Sequence, residues 1–153
     1  TIKLIYGHIN TLIIMEIILK LIHYLSIFAA GGIGVGGAVI QSIYAKANKI
    51  PEPHLGKSFR VLGIIGLISI IALWISGLAL VNLIYGSFSI HWAFHMKLFG
   101  ALIVLAASAF GNFHLYTSAN NQTAPNRILM KRIASIGRIG LIVALLGAAI
   151  AFN

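Results

Sequence analysis

Four apolar segments of membrane length, parted by two basic loops and one uncharged turn, limit this chain to one class of architecture. A segment that enters hydrocarbon must satisfy its own backbone hydrogen bonds. With about 20 residues needed for each crossing, it does so as a helix. The segments fall at residues 15–44, 59–83, 90–116 and 128–152. Composition agrees: the 153 residues are 59% hydrophobic and 8% charged, where a soluble domain carries about a quarter charged residues. The expected fold is an all-α, integral membrane four-helix bundle running up-down-up-down, with one transmembrane domain over residues 15–153. Residues 1–14 read either as an ordered lead-in to the first helix or as an extension upstream of Met15. The chain has no cysteine, which excludes disulfides, iron–sulfur clusters and thiolate metal sites.

The formal charge is +9, and the only acids are Glu16 and Glu52. In a soluble protein this excess would suggest nucleic acid as a partner. Here the cations cluster in short loops, which points to lipid and not to nucleic acid. Lys46, Lys49, Lys57 and Arg60 lie in the first basic loop; Arg127, Lys131, Arg132 and Arg138 lie in the second. The positive-inside bias places both loops in the cytoplasm of a bacterial-type inner membrane, with both termini and the 85–89 turn on the opposite side. Anionic headgroups are then the expected neighbours of Lys46, Lys49, Lys57, Arg60, Arg127, Lys131 and Arg132. His54, between Pro53 and the second segment, reads as a solvated loop residue. Asn121-Gln122-Thr123 matches a glycosylation sequon but falls in a loop assigned to the inside.

Small residues mark the helix faces. The first segment contains Gly31-Gly32-Ile33-Gly34-Val35-Gly36-Gly37, in which positions 32, 34 and 37 match the spacing of a dinucleotide-binding loop. No strand precedes it and it lies inside an apolar segment, so close helix packing is the expected role. His23, Ile27, Ala30, Gly34, Gly37 and Gln41 share one face, a histidine above a strip without bulk. A flat ring or a neighbouring helix would lie against that strip. Gly66, Leu73 and Gly77 share a face of the second segment, with Trp74 and Ser76 beside it. Trp74 sits near mid-span, where its indole N–H needs a partner and its ring suits either core packing or a bound macrocycle. Gly140, Ala144, Gly147 and Ala151 give the fourth segment a packing seam.

The chemistry concentrates in His91-Trp92-Ala93-Phe94-His95-Met96-Lys97 and in His23. Ionisable groups at membrane depth are costly and commonly mark function. A b-type haem takes one or two neutral imidazoles, an apolar slot and cations near its propionates. His23 and His95 lie at similar depth and meet that requirement if the first and third segments are neighbours. Lys97 is about 200° around the helix from His95, and its long stem would snorkel to the outer boundary toward a propionate or a headgroup. His91, one turn from His95, suits an interface position, or copper shared with His95 given a third ligand. His114 lies about 28 Å along the same helix and suits the helix dipole. A chlorophyll magnesium would also accept one imidazole. With no carboxylate in any span except Glu16 near an end, an Asp/Glu proton relay is not expected.

Three short stretches carry a family resemblance: Leu19-Lys20-Leu21-Ile22-His23, Leu73-Trp74-Ile75-Ser76-Gly77-Leu78 and Phe94-His95-Met96-Lys97-Leu98. They resemble the copper-resistance CopD-like domains and the HemJ-type protoporphyrinogen oxidases. The resemblance implies a four-helix bundle and, for the HemJ type, haem b held by histidine. On that analogy His23 and His95 are the haem ligands and Lys97 a functional neighbour. The chain departs from the HemJ type late in its first segment, where a glycine run replaces an aromatic–proline–arginine motif, so the resemblance does not extend to porphyrinogen oxidation. The functional expectation is haem b binding in electron transfer or haem handling, with Trp74 and Gly34 also against the ring. The rivals are an accessory subunit packed on a larger respiratory, photosynthetic or oxygenase complex, a homo-oligomer among the assemblies considered, and copper handling.

Overall fold

The computed structural model describes residues 2–47, 53–88, 91–121, 123 and 125–151. Four helices account for nearly all of them: α1 Ile2–Lys46, α2 Pro53–Tyr85, α3 Trp92–Asn120 and α4 Arg127–Ala151. Each is long and apolar enough to cross a membrane, and the protein is an all-α, four-helix, multi-pass membrane protein. Lys49, Pro51, Glu52 and Gln122 lie outside the described residues.

The helix ends differ from the sequence expectation for local reasons. α1 runs on from Ile2 without a break, so residues 2–14 are helix continuous with the first span. α2 begins at Pro53, inside what reads as a loop, because proline is tolerated in a first turn, where its missing N–H costs nothing. His54 is therefore an exposed residue of that turn, and Ser58 Oγ donates to its carbonyl. α3 starts two residues late: His91 is its N-cap, and its Nδ1 accepts from the Ala93 amide at 3.2 Å. At its other end α3 continues to Asn120 through residues that look like loop. α4 is capped by Asn126, whose Oδ1 accepts from the amides of Ile128 and Leu129 at 3.0 and 3.1 Å.

The helices pack in chain order, α1 on α2, α2 on α3 and α3 on α4. Among the described residues α1 makes no backbone approach to α3 or α4. The tightest seam is α3–α4, and glycine makes it. A Cβ at Gly140 would stand 2.7 Å from Ile103 Cγ2, and one at Gly147 would stand 2.5 Å from the Lys97 amide nitrogen. Gly100 is opposed by the backbone of Gly140 and Ala144. The small-residue seam of α4 is thus used, and its partner is α3. Against α2, α1 presents a stripe that includes His23, Ser26, Ala30, Ile33, Gly37 and Ile40, spaced three or four apart as a helical seam requires.

The glycine run of α1 does not do what its composition suggests. A Cβ added at Gly31, Gly32, Gly34, Gly36 or Gly37 would meet nothing within 4 Å. The close packing expected there is made instead by α2, whose Gly66 meets Ile33 and whose Gly77 meets His23.

Polar contacts tie α2 to α3. Asn112 Nδ2 donates to the carbonyls of Gly63 at 3.1 Å and Ser108 at 2.9 Å. Trp74 Nε1 reaches the Ala101 carbonyl at 3.4 Å, which supplies the partner its N–H needs. Arg60 stacks over the Tyr116 ring at 5.1 Å.

Adding a methyl at Gly100 drives it into the α4 backbone, an overpacking that costs about 1–3 kcal/mol. Gly34→Ala meets open space. In detergent, Gly100→Ala lowers the thermal unfolding midpoint and Gly34→Ala leaves it unchanged or raised; the reverse order would refute the seam.

Candidate functional site

Register between the helices sets the depth of every candidate residue. Ile33 faces Gly66 and His23 faces Gly77. Gly63 faces Asn112 and Trp74 faces Ala101. Carried along, these offsets place His23, Ser76 and Phe99 at one level. His95 is four residues nearer the uncharged turn, about 6 Å above that level.

His23 is held on α2 by one hydrogen bond and one absence. Ser76, 1% exposed, places its Oγ 2.7 Å from the Ala72 carbonyl and 3.0 Å from His23 Nδ1. The hydroxyl has one hydrogen and gives it to the carbonyl four residues back, as serine in a helix commonly does. Its lone pair then accepts from Nδ1–H. A neutral imidazole with its hydrogen on Nδ1 has a free lone pair on Nε2. The absence is the side chain of Gly77: a Cβ there would lie 3.1 Å from His23 Cε1. A histidine that donates one ring N–H to a fixed acceptor is oriented to use the other nitrogen as a ligand.

A half-open cleft runs beside this ring. It is lined by His23 from α1, by Leu73, Trp74, Gly77 and Leu78 from α2, and by Phe94, Lys97, Leu98 and Ala101 from α3. Phe94 is 1% exposed and makes the floor. The Lys97 ammonium lies 5.9 Å from the Phe94 ring centroid, over the ring one turn toward the start of α3. Lys97 therefore turns into the cleft wall as well as toward the helix end, closer to His23 than its position relative to His95 suggests. The enclosed part of the cleft measures about 40 Å³, room for a few waters at most. Both α1 and α3 line the cleft, and among the described residues their backbones do not approach one another.

Of the six residues singled out in the sequence, His23, Trp74 and Lys97 come together here. His95 does not join them. It is exposed, edge-on to Phe94 with ring centroids 6.0 Å apart, and it does not line the cleft. The expected facing of His23 and His95 fails because α3 turns Phe94, Lys97, Leu98 and Ala101 toward the cleft, and His95, about 100° around from Phe94, away from it. Gly34 is exposed, three turns from His23, and lies away from the cleft. His91 is occupied as the cap of α3 and packs its ring on Trp92 at 5.5 Å. Among the described residues no group of three His, Asp or Glu side chains is placed to share a metal, so the third ligand that copper at His91 and His95 requires does not appear. His114 Nε2 accepts the Asn126 amide at 3.1 Å, a clasp on the α3–α4 connection. Glu16 pairs with Lys20 one turn on.

The donor set fits a haem-type ring: one oriented imidazole, aromatic and aliphatic walls, and one cation. The enclosed space does not take a macrocycle, so a ring would lie in the open part of the cleft. Ser76 and Phe94 carry as much of the site as the residues the sequence points to. Ser76 had a signal, a hydroxyl inside the second span at the depth of His23; Phe94 had none beyond standing next to His95.

No family model matches the chain, and neither a curated protein nor a solved structure matches it.

The hydrogen bond to Ser76 fixes one tautomer. Nitrogen-15 spectra of histidine-labelled protein should show His23 with Nδ1 protonated and Nε2 bare. Ser76→Ala should mix the tautomers, and Gly77→Ala should shift the ring. A His23 spectrum indifferent to both substitutions would show that α2 does not hold the imidazole.

Proposed function

We propose that this protein binds haem b and acts in electron transfer or haem handling, with His23 as the axial ligand the fold supplies. The observation that carries this is the Ser76-anchored imidazole at the mouth of an apolar cleft. When bound, the haem supplies one-electron chemistry. The chain's part is to hold and orient it. Ser76 fixes the imidazole, Gly77 leaves it room, Phe94 and Trp74 wall the slot, and Lys97 offers a cation to a propionate. His95, exposed on α3, has no part in that set within one copy of the chain. The basic loops are proposed to be cytoplasmic, in a bacterial-type inner membrane, with Lys46, Lys49, Lys57, Arg60, Arg127, Lys131 and Arg132 near acidic headgroups.

A second reading rests on Gly31, Gly32, Gly34 and Gly36 of α1, which are exposed, with nothing among the described residues within 4 Å of where a Cβ would stand. Small residues let membrane helices approach closely, so this face suits docking of a non-catalytic accessory subunit on a larger membrane complex.

An optical spectrum separates the two. Protein purified from haem-replete cells should show Soret and α-bands, lost in His23→Ala and kept in His95→Ala. Bands that survive His23→Ala overturn the assignment. A colourless protein that co-purifies with larger subunits favours the second reading.

A further inference from the structure

The mid-span cation of α4 is the feature the haem reading leaves unused. Gly137 of α4 faces Ala107 of α3, and Gly111 faces Ile133. By that register and the one between α2 and α3, Arg138 stands level with Ser69. That is about 13 Å inward from Arg60, which marks the basic end beside Tyr116. Arg138 is exposed, and it makes no ion pair or hydrogen bond among the described residues. The chain cannot neutralise it from within its spans. Glu16 is held by Lys20 and lies near the opposite end of the helices.

At 100° per residue, Lys131, Ser135 and Arg138 fall within about 60° of one another, on the face of α4 turned away from the glycine seam. All three are exposed. Lys131 and Arg138 are two turns apart, about 10 Å along the axis, with Ser135 between them. A guanidinium snorkelling toward the basic end and an ammonium reaching back meet near the hydroxyl. Beyond Arg138 the same face continues as Ile142 and Leu145, 58% and 61% exposed. The pattern from the basic end inward is cation, hydroxyl, cation, then bulky apolar side chains.

We propose that this face of α4 binds one acidic phospholipid. Its phosphate would sit among Lys131, Ser135 and Arg138, and an acyl chain would run along Ile142 and Leu145. A phosphodiester joined to a hydrocarbon tail matches the order of groups along the helix. A transmembrane helix carrying a carboxylate matches it less well: Ile142 and Leu145 are bulky, and the small residues that admit a close helix are already used against α3. The inference rests on membrane crossing and is independent of haem.

The test reconstitutes the full chain in nanodiscs of equimolar phosphatidylcholine and phosphatidylglycerol, and native mass spectrometry reads the lipid kept on release. Wild type retains phosphatidylglycerol in preference to phosphatidylcholine. Arg138→Gln lowers that retention about fivefold, the worth of one cation near an acidic surface. Arg132→Gln removes the same charge about 120° around the helix and lowers retention less than Arg138→Gln does, by its share of general surface charge alone. Equal losses in the two variants reduce the effect to general surface charge and overturn the site, as does the absence of a preference in wild type. A protein co-purified from cells and shed by Arg138→Gln, with lipid retention unchanged, assigns the face to a carboxylate-bearing partner and also overturns it. Should Arg138→Gln not fold, Lys131→Gln reads the same face. It lowers retention more than Arg132→Gln does, and equal retention in those two rejects the proposal.

Discussion

Inside hydrocarbon no water is released when two helices meet, so contact must come from atoms that fit. This one constraint orders the whole fold. α3 and α4 approach until backbone touches backbone, because Gly100, Gly140 and Gly147 leave nothing in the way. α2 and α3 lack such a seam and are held by side chains that find carbonyls, Asn112 on Gly63 and Trp74 on Ala101. Among the described residues the backbone of α1 approaches only α2, closest at Gly66 and Gly77. Small residues make the α3–α4 seam the closest; α1 on α2 comes next, and α2 meets α3 over the least backbone.

The same constraint explains where the polar groups lie. Each hydroxyl or amide at membrane depth must have a partner. Ser69 returns its hydrogen to Ile65 and Ser76 to Ala72, on their own helix. Only Ser76 then receives a second bond from another helix, and that bond selects the tautomer of His23. A buried serine thereby sets the chemistry of a histidine it could have merely touched. Lys97 lies over an aromatic face, which brings a cation into the cleft.

How much of this was legible in the sequence depends on which physical signal each residue carried. The four crossings were plain, since length and apolarity suffice. The role of α4's Gly140 and Gly147 was also legible, because small residues four and seven apart mark one face. The glycines of α1 misled, since composition shows that a helix can be approached and not that it is. Pairing His23 with His95 required α1 beside α3, and adjacency is a property of packing that depth along separate helices does not determine. Helix ends moved where a local cap outweighed hydropathy, as at His91 and Pro53. Phe94 and Ala101 became walls only through register, which two cross-helix hydrogen bonds reveal and a single sequence does not.

The candidate site lies where the backbones of α1 and α3 do not approach one another among the described residues, and His23 is the residue by which α1 reaches the cleft. A planar ring held by His23 would add a contact between α1 and α3, whose backbones do not approach one another among the described residues. Its binding free energy would then appear as stability of the helix array, since whatever binds the assembled form raises that form's population. On the proposed reading, the ligand is part of the packing, and the helix with the least protein contact carries the ligating group for that reason.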